Sequence, residues 1–444
     1  MLSQDRFARM NVSEHNTDLQ PTARQKRVLL LFTTTGYQAA AFREAAEKLG
    51  VAIVAGSDRC HVLEDPWRDG AIPLRYEDPY GAAATIVEYA EAHPLDAGIA
   101  IIAIGDKPTI PAAIACEALG IPYHQPFAAF ACHDKYEFRS LLERAGVPVP
   151  AFCRLPVQGQ PPSTLPGIAF PCILKPLSLS ASRGVIRADN AEEFAAAFRR
   201  IRALLADPDI LRMQDESAGW ILVEQYLEGA EAALEGIMDR GRLQTLALFD
   251  KPDPLEGPYF AETIYVTPSR LSEAAQNEIT AGVAQAARAV GLSHGPIHAE
   301  VRLTPQGPRV LEVAARPIGG LCARALRFEN GWSLEELIIR HALGEPVERV
   351  RREDAASGVM MIPIPAAGVL EAVRGEAEAR AVPGVEDIQI TAKLKQKLVP
   401  WPEGSSYLGF IFARGLSPGA VEAALREAHR RIEFVITPAL PVVR

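Results

Sequence analysis

The chain has 444 residues, of which 48% are hydrophobic and 23% are charged, and it carries a formal net charge of −9. This length predicts about three domains, and the composition is that of a globular protein. The negative balance, without a basic stripe, argues against nucleic acid as a main partner. No apolar run reaches the length of a membrane span, and the N-terminus lacks the apolar core of a signal peptide, so we expect a cytoplasmic protein without membrane contact.

Lysine and cysteine usage adds two expectations. Only nine lysines stand against 37 arginines, so a lysine in a special context carries information. The six cysteines form no C-x-x-C pair, and several lie in apolar runs. We therefore expect free, buried thiols in a reducing cytosol.

The N-terminal part alternates predicted strands and helices. Residues 1–25 are polar and predict a flexible tail, whereas residues 26–125 contain the predicted strands RVLLLF and VAIVAG and the predicted helices YQAAAFREAAEKLG and PTIPAAIACEALG. This alternation predicts an open, Rossmann-like parallel sheet. No G-x-G-x-x-G fingerprint follows the first strand, which argues against a nicotinamide-dependent dehydrogenase.

From residue 126 the pattern changes to mixed strands and helices. KYEFRSLLERAG predicts a helix with Asp134 as its N-cap and Gly146 at its end. FPCILKPL predicts a strand, SLSASRG a loop of small residues, and VEQYLEGAE a strand that ends in a tight turn. Residues 351–444 predict a small α+β domain.

The stretch HAEVRLTPQGPRVLEVAARPIGG predicts a β-hairpin. Alternation places Val310 and Glu312 on one face of the second strand and Leu311 on the other. A three-residue loop, Pro305–Gly307, fits a type I turn followed by a left-handed glycine. The register that results places Glu300 directly opposite Glu312.

Two opposed carboxylates raise the question of what stabilises them. Like charges at directly opposed positions destabilise a hairpin. A hard divalent cation between Glu300 and Glu312 would remove the repulsion. The alternative is an exposed edge on which Arg302 and Arg309 screen the pair.

Other charged residues leave similar choices. Lys175 lies in a predicted strand, where an ammonium is costly unless an anion meets it or it reaches solvent at an edge. The small-residue loop after it could offer hydroxyl and N–H groups to phosphate, although the absence of a G-K dipeptide excludes a P-loop. Arg316 suits either a bidentate anion contact or a structural ion pair. His294 and His298 stand four residues apart, but proline and the strand pattern prevent helical facing and argue against zinc.

In this order, these motifs resemble the ATP-grasp superfamily, and within it the carboxylate–amine ligases that include the bacterial L-amino-acid ligases. The motifs are LLERAGVPVP, ILKP, VEQYLEGAE and E-x(11)-E-V-A-A-R-P-I-G-G. The resemblance implies an α/β and α+β multidomain fold, with an N-terminal pre-ATP-grasp domain, two ATP-grasp subdomains and a C-terminal domain. The limits we predict are 26–125, 126–350 with a lid subdomain at about 133–222, and 351–444.

The resemblance also implies roles for individual residues. The residues implied to bind ATP are Lys135, Lys175, Ser180, Ser182, Gly184, Glu224, Gln225, Leu227, Glu231 and Lys251. Glu300 and Glu312 are implied to ligate Mg²⁺, with Mn²⁺ as an alternative. Arg316 is implied to steady the acyl phosphate, His298 to contact the acyl donor, and Glu262 to contact the incoming ammonium.

Two positions depart from the family pattern. Ala314 stands where many ATP-grasp enzymes have an asparagine ligand, and the lid loop is serine-rich where many relatives have glycines.

The function that the resemblance implies is ATP-dependent joining of a carboxylate, that of an amino acid, to an amine through an acyl phosphate. Two alternatives stay open: another acyl-phosphate enzyme of carboxylase or formate-activating type, and a non-catalytic ATP-binding protein. The expected partners are ATP and two small substrates, with a homodimer as the usual assembly.

Overall fold

The computed structural model describes residues 26–34, 36–58, 71–93, 99–162 and 164–438. The predicted tail and Cys60 lie outside these ranges. Of the other cysteines, all are free, and Cys116, Cys172 and Cys322 are buried as expected. Every helix in the described ranges is too short or too polar to span a bilayer.

The N-terminal part is the predicted open parallel sheet, with strand order β3-β2-β1-β4. Its elements are β1 (Arg27–Phe32), α1 (Ala39–Leu49), β2 (Ala52–Ser57), β3 (Ala71–Pro73), α2 (Pro79–Ala92), β4 (Ile99–Ala103) and α3 (Asp106–Leu119). The central strand β1 pairs in parallel with β2 on one side and β4 on the other. The strand order therefore reverses between β1 and β4, and the loops at their carboxyl ends meet there, where open α/β sheets bind ligands.

A second, four-stranded antiparallel sheet has the order β5-β8-β6-β7. It is built from α4 (Pro126–His133), α5 (Lys135–Arg144), β5 (Phe152–Pro156), β6 (Cys172–Pro176), β7 (Ile186–Ala188), α6 (Ala191–Leu205), α7 (Pro208–Leu211), a 3₁₀ helix (Glu216–Gly219) and β8 (Trp220–Gln225). The predicted N-cap is confirmed, because the Asp134 carboxylate accepts hydrogen bonds from the N–H groups of Tyr136 and Glu137 at 2.8 and 3.1 Å.

The largest sheet has eight strands in the order β13-β12-β9-β10-β11-β14-β18-β16, and β17-β15-β19 form a smaller one. The strands and helices are β9 (Ala230–Asp239), β10 (Arg242–Lys251), β11 (Ile264–Thr267), α8 (Glu273–Val290), β12 (Gly295–Thr304), β13 (Gly307–Ala314), α9 (Leu334–Ala342), β14 (Ala356–Ile362), β15 (Gly368–Arg374), α10 (Glu376–Arg380), β16 (Val385–Ile390), β17 (Lys397–Leu398), β18 (Gly409–Gly415), α11 (Pro418–Arg430) and β19 (Glu433–Thr437), with a 3₁₀ helix at Cys322–Ala325. Because β11 pairs with β14, this sheet runs through the predicted limit at residue 350. The domain limits themselves stay a prediction.

The hairpin of β12 and β13 pairs Glu300 with Glu312, which confirms that part of the predicted register. The predicted three-residue loop is wrong. Thr304 pairs with Gly307, so the loop contains only two residues. The Thr304 hydroxyl donates to the Gly307 carbonyl at 2.7 Å and accepts from the N–H of Gln306 at 3.2 Å, which stabilises the shorter turn.

A β-bulge compensates for the shorter loop. Val301 pairs with Val310, so Leu311 is an extra residue that shifts the register by one before Glu312. The bulge also reverses two side chains relative to the prediction. Val310 packs in the core, and Leu311 lines a cavity. The shorter loop and the bulge shift the predicted register in opposite directions, so Glu300 still pairs with Glu312.

Candidate active site

A cavity of 320 Å³ opens where the N-terminal parallel sheet, the four-stranded antiparallel sheet and the eight-stranded sheet meet. It is bordered by the loops after β1 and β4, the loop after β6, the end of β8, and the hairpin of β12 and β13. The predicted site residues that line it are Lys135, Lys175, Ser180, Ser182, Glu224, Gln225, Leu227, Glu231, Glu262, His298, Glu300, Glu312 and Arg316. Lys251 and Gly184 are not part of this lining.

Glu300 and Glu312 form an acidic wall of the cavity. Lys251 Nζ lies 3.5 Å from Glu300 Oε2, and Lys135 Nζ lies 3.6 Å from Glu312 Oε2. Burial raises the pKa of Glu300 to about 8, and Glu262 and Glu312 add to this rise against the attraction of Lys251. Glu300 therefore resists ionisation even beside the lysine that the chain supplies. Two opposed carboxylates with this deficit of positive charge fit a hard divalent cation.

Lys251 is buried behind this wall rather than at the cavity surface. Its Nζ contacts Glu262 and lies 3.2 Å from Glu231 Oε2. Glu262, Glu300 and Glu231 raise the Lys251 pKa, although burial works in the opposite direction. Arg302 Nη2 binds the other Glu231 oxygen at 2.7 Å. The chain thus surrounds one lysine with three carboxylates and shares one of these carboxylates with an arginine.

The Lys175 ammonium contacts the buried Glu224 carboxylate. Its strand β6 lies between β8 and β7, so the alternative of an edge-strand lysine reaching solvent is excluded. Burial lowers the pKa of Lys175, although Glu224 works against this. Arg139 also binds Glu224, at 2.5 Å, and donates to the Leu311 carbonyl at 2.7 Å, which ties α5 to the hairpin.

Sequence reasoning missed Arg139, which is fully buried. The available signal was its position, one residue after Phe138 and three before Leu142 on the apolar face of α5. A charged residue on the buried face of a helix requires a partner. The sequence could therefore have predicted a buried ion pair, but not that Glu224 is the partner.

The loop after β6, Ser178–Gly184, is the one that the resemblance implies to be a lid, and we call it the lid loop. A segment distant in the chain binds it. Trp401 Nε1 donates to the Ala181 carbonyl at 3.0 Å, and the N–H of Gly184 donates to the Pro402 carbonyl at 2.8 Å. Gly184 has φ +76°, and a Cβ there would lie 2.7 Å from Pro176 Cγ, so the turn requires glycine. No pattern in the sequence indicated this contact.

Arg316 is paired with the N-terminal sheet while it lines the cavity. Its Nε lies 2.6 Å from Asp106 Oδ1, at the start of α3. Burial opposes the ionisation of Asp106, but Arg316 prevails and lowers the Asp106 pKa to about 2. The structural ion pair considered for Arg316 is therefore confirmed, and the guanidinium still lines the cavity. The anion contact stays a prediction. Sequence reasoning missed Asp106.

His298 is oriented by a carboxylate that the sequence analysis also missed. His298 Nδ1 lies 3.1 Å from Glu235 Oε2, and Glu235 accepts a hydrogen bond from the N–H of Ile318 at 3.2 Å. Glu235 is fully buried, and burial raises its pKa. This pair fixes the plane of the imidazole ring at the cavity wall.

Three family models match consecutive parts of the chain. An ATP-grasp N-terminal domain matches residues 43–123, an ATP-grasp domain matches residues 168–325, and an L-amino acid ligase C-terminal domain 2 matches residues 360–437. The chain therefore contains an ATP-grasp domain together with an L-amino acid ligase C-terminal domain. The resemblance predicted from the sequence is thus confirmed.

Individual proteins are similar to this chain over most of its length. The crystal structure of an L-amino acid ligase from Bacillus licheniformis has a TM-score of 0.77 and 25% identity, covering 94% of this chain and 100% of that one. The alanine–anticapsin ligase of Bacillus subtilis is 27% identical over 311 residues, which are 66% of this chain and 64% of that protein. The uncharacterized protein y4rH of Sinorhizobium fredii is 25% identical over 323 residues, 73% of this chain and 65% of that protein. The chain thus spans just under two thirds of these two curated relatives.

Proposed function

We propose that this chain is an ATP-dependent ligase that joins the carboxylate of an amino acid to an amine through an acyl phosphate, with release of ADP and phosphate. The observation that carries the proposal is the convergence of opposite charges in one cavity. Glu300 and Glu312 form one wall, Lys135 and Lys175 border it, and Arg316 faces it from the loop after β13. Such an arrangement suits a polyphosphate, a divalent cation and an anion that must be brought together.

The acidic wall would hold Mg²⁺, or Mn²⁺ as its alternative, through Glu300 and Glu312. Bound there, the ion neutralises charge on the ATP phosphates. Lys135 is positioned to bind the same phosphates, because its Nζ donates to the Leu179 carbonyl in the lid at 2.9 Å while it stays 3.6 Å from Glu312. It therefore connects the lid with the acidic wall.

We place the adenosine at the end of β8. The Gln225 side chain accepts from the N–H of Ala169 at 3.0 Å and donates to the Pro171 carbonyl at 3.1 Å. The N–H groups of Gln225 and Tyr226 donate to the carbonyls of Ala151 and Pro171 at 2.8 and 3.2 Å, so Leu227 is the residue of this segment whose backbone would contact the base. Glu231 would accept from the ribose hydroxyls, since its ion pairs with Lys251 and Arg302 hold its carboxylate in place.

The acyl side of the reaction would lie next to Arg316. The Arg316 guanidinium, oriented by Asp106, would stabilise the oxyanion that forms when an amine attacks the acyl phosphate. The oriented His298 imidazole would contact the acyl donor, and Glu262 would contact the incoming ammonium. Closure of the lid would exclude water, which otherwise hydrolyses an acyl phosphate.

A screen of phosphate release over pairs of amino acids, with mass spectrometry of the products, tests this function. We expect phosphate release that depends on two amino acids and yields their amide. Glu312→Ala should abolish turnover while the protein stays folded, whereas Glu329→Ala, which removes an exposed glutamate, should not affect it. Undiminished turnover in Glu312→Ala would contradict the assignment of the acidic wall.

The same screen separates the alternatives. Turnover that requires bicarbonate or formate instead of a second amino acid would indicate the other acyl-phosphate chemistries, and tight ATP binding without turnover would indicate a binding protein. A cytoplasmic location and a homodimer are retained as proposals on the basis of the family resemblance.

A further inference from the structure

A second cluster of ligand-type side chains lies away from the cavity. It consists of Asp239 at the end of β9, His294 in the turn before β12, and His341 on α9. Their three ligand atoms all lie within 4.8 Å of one another, a spacing that could hold a metal ion. His294 is six residues before Glu300, and along a strand this corresponds to about 20 Å, so the cluster is separate from the acidic wall.

The contacts within the cluster leave one ring nitrogen of each histidine without a hydrogen bond. His294 Nδ1 lies 3.2 Å and His341 Nε2 lies 3.6 Å from the same oxygen, Asp239 Oδ1. Both nitrogens are buried, yet neither is aligned for a hydrogen bond to that oxygen or to any other described group. The two rings stack with their centroids 4.2 Å apart. Buried polar atoms are rarely left unpaired, so three donor atoms that face one another require a further partner.

A neighbouring histidine shows what a satisfied imidazole looks like here. His124 is buried like His341, but its Nδ1 accepts from the N–H of Ser293 at 3.3 Å and its Nε2 contacts the Pro296 carbonyl at 3.2 Å. Both of its nitrogens are therefore accounted for by the backbone. His294 and His341 differ because their unpaired nitrogens converge on a carboxylate.

We propose that Asp239, His294 and His341 form a binding site for one zinc ion, or for another borderline divalent metal ion. Two imidazole nitrogens and one carboxylate oxygen are the donor types that zinc prefers. Bonds of about 2.0–2.2 Å to each would require the two stacked rings to turn toward the ion. A cavity of 20 Å³ adjoins His294 and His341 and has room for about one water molecule, which would supply the fourth ligand.

The position of the cluster indicates a structural role for the ion. Asp239 and His294 belong to neighbouring strand ends of the large sheet, and His341 belongs to the helix α9. The adjoining cavity is also lined by β4, through Ile101–Ala103. An ion bound by these ligands would fix α9 to the sheet at the point where the N-terminal sheet packs. Binding only to the folded protein would raise the thermal midpoint of unfolding.

Metal analysis of protein purified without a histidine tag tests the proposal. The protein is stripped with a chelator, dialysed against zinc chloride and then against metal-free buffer, and its zinc is measured by mass spectrometry. We expect about one zinc ion per wild-type chain and less than about a tenth of that in His341→Ala and in His294→Ala. His93→Ala, which removes an exposed imidazole, serves as the matched control and should retain the ion.

Two further measurements make the result specific. Glu300→Gln/Glu312→Gln should keep its zinc, which separates this site from the acidic wall. Cobalt chloride should give the visible absorption of tetrahedral Co²⁺ with wild type and not with Asp239→Asn. A melting curve of Asp239→Asn is the control that this variant is folded. Wild-type protein that retains no more zinc than the folded His294→Ala variant, or zinc that is lost with the two glutamates, would overturn the proposal.

Discussion

The two walls of the cavity are built in different ways. The acidic wall consists of neighbouring strands, and a single hairpin brings Glu300 opposite Glu312. The second wall, around Arg316 and the loop after β6, is assembled from segments far apart in the chain, since Asp106 binds Arg316 and Trp401 binds Ala181. The comparison shows that a hairpin fixes the proposed cation ligands locally, whereas the groups proposed to position and enclose substrates depend on how distant segments pack.

The largest effect is expected in the acidic wall. Glu300→Gln should lower ATP turnover by roughly 1,000-fold, equivalent to about 4 kcal/mol, because a ligand for the cation is lost. Because the folded pKa of Glu300 is raised to about 8, its ionisation opposes folding above the unfolded pKa of 4.5. The variant should therefore be as stable as wild type or more stable at neutral pH in chelator. Urea unfolding and steady-state kinetics measure the two effects, and a large loss of stability would argue against this view of the wall.

The next effect concerns Arg139, the buried cation that binds Glu224 and ties helix α5 to the hairpin. Arg139→Met should destabilise the protein by about 3–5 kcal/mol, because it leaves Glu224 with one cationic partner in a buried site. Arg144→Met, in the same helix but exposed, is the matched control and should change stability little. Equal stability of the two variants in urea would show that Glu224 is satisfied without Arg139.

A pH-dependent effect is expected for Asp106. Its folded pKa of about 2 lies below the unfolded value of 3.8, so its contribution is present above pH 4 and is lost as the pH falls toward 2. The shift corresponds to about 2 kcal/mol. Between pH 5 and pH 2, wild type should lose that much more free energy of unfolding than Asp106→Asn does. Parallel pH curves for the two proteins would contradict the role of the Arg316 pair.

The smallest effect is expected in the lid. Trp401→Phe removes one hydrogen bond, to the Ala181 carbonyl, and should cost about 1 kcal/mol of lid closure. We expect ADP release without amide formation to rise a few-fold, because water reaches the acyl phosphate more often. Comparing ADP and product in the same reaction measures this uncoupling. An unchanged ratio would mean that the tryptophan contact does not control the lid.

The hairpin illustrates how far the sequence alone could lead. Alternation identified the strands, and the pairing of Glu300 with Glu312 was predicted, but the loop and the bulge were not. A two-residue and a three-residue loop are both compatible with Thr-Pro-Gln-Gly-Pro. Only the packing of Val310 in the core selects the bulged register. The prediction was therefore right about the pair and wrong about Val310 and Leu311.

Local chemistry in the sequence determined several features of this protein. Periodicity and capping predicted the parallel sheet and the helix that begins after Asp134, and the family resemblance singled out the charged positions that line the cavity. Tertiary structure alone decided that Arg139 meets Glu224, that Asp106 meets Arg316, and that Asp239 and two histidines converge. The physical reason is that the period of a strand or helix depends on neighbouring residues, whereas the partner of a buried charge is set by the packing of segments that are distant in the chain.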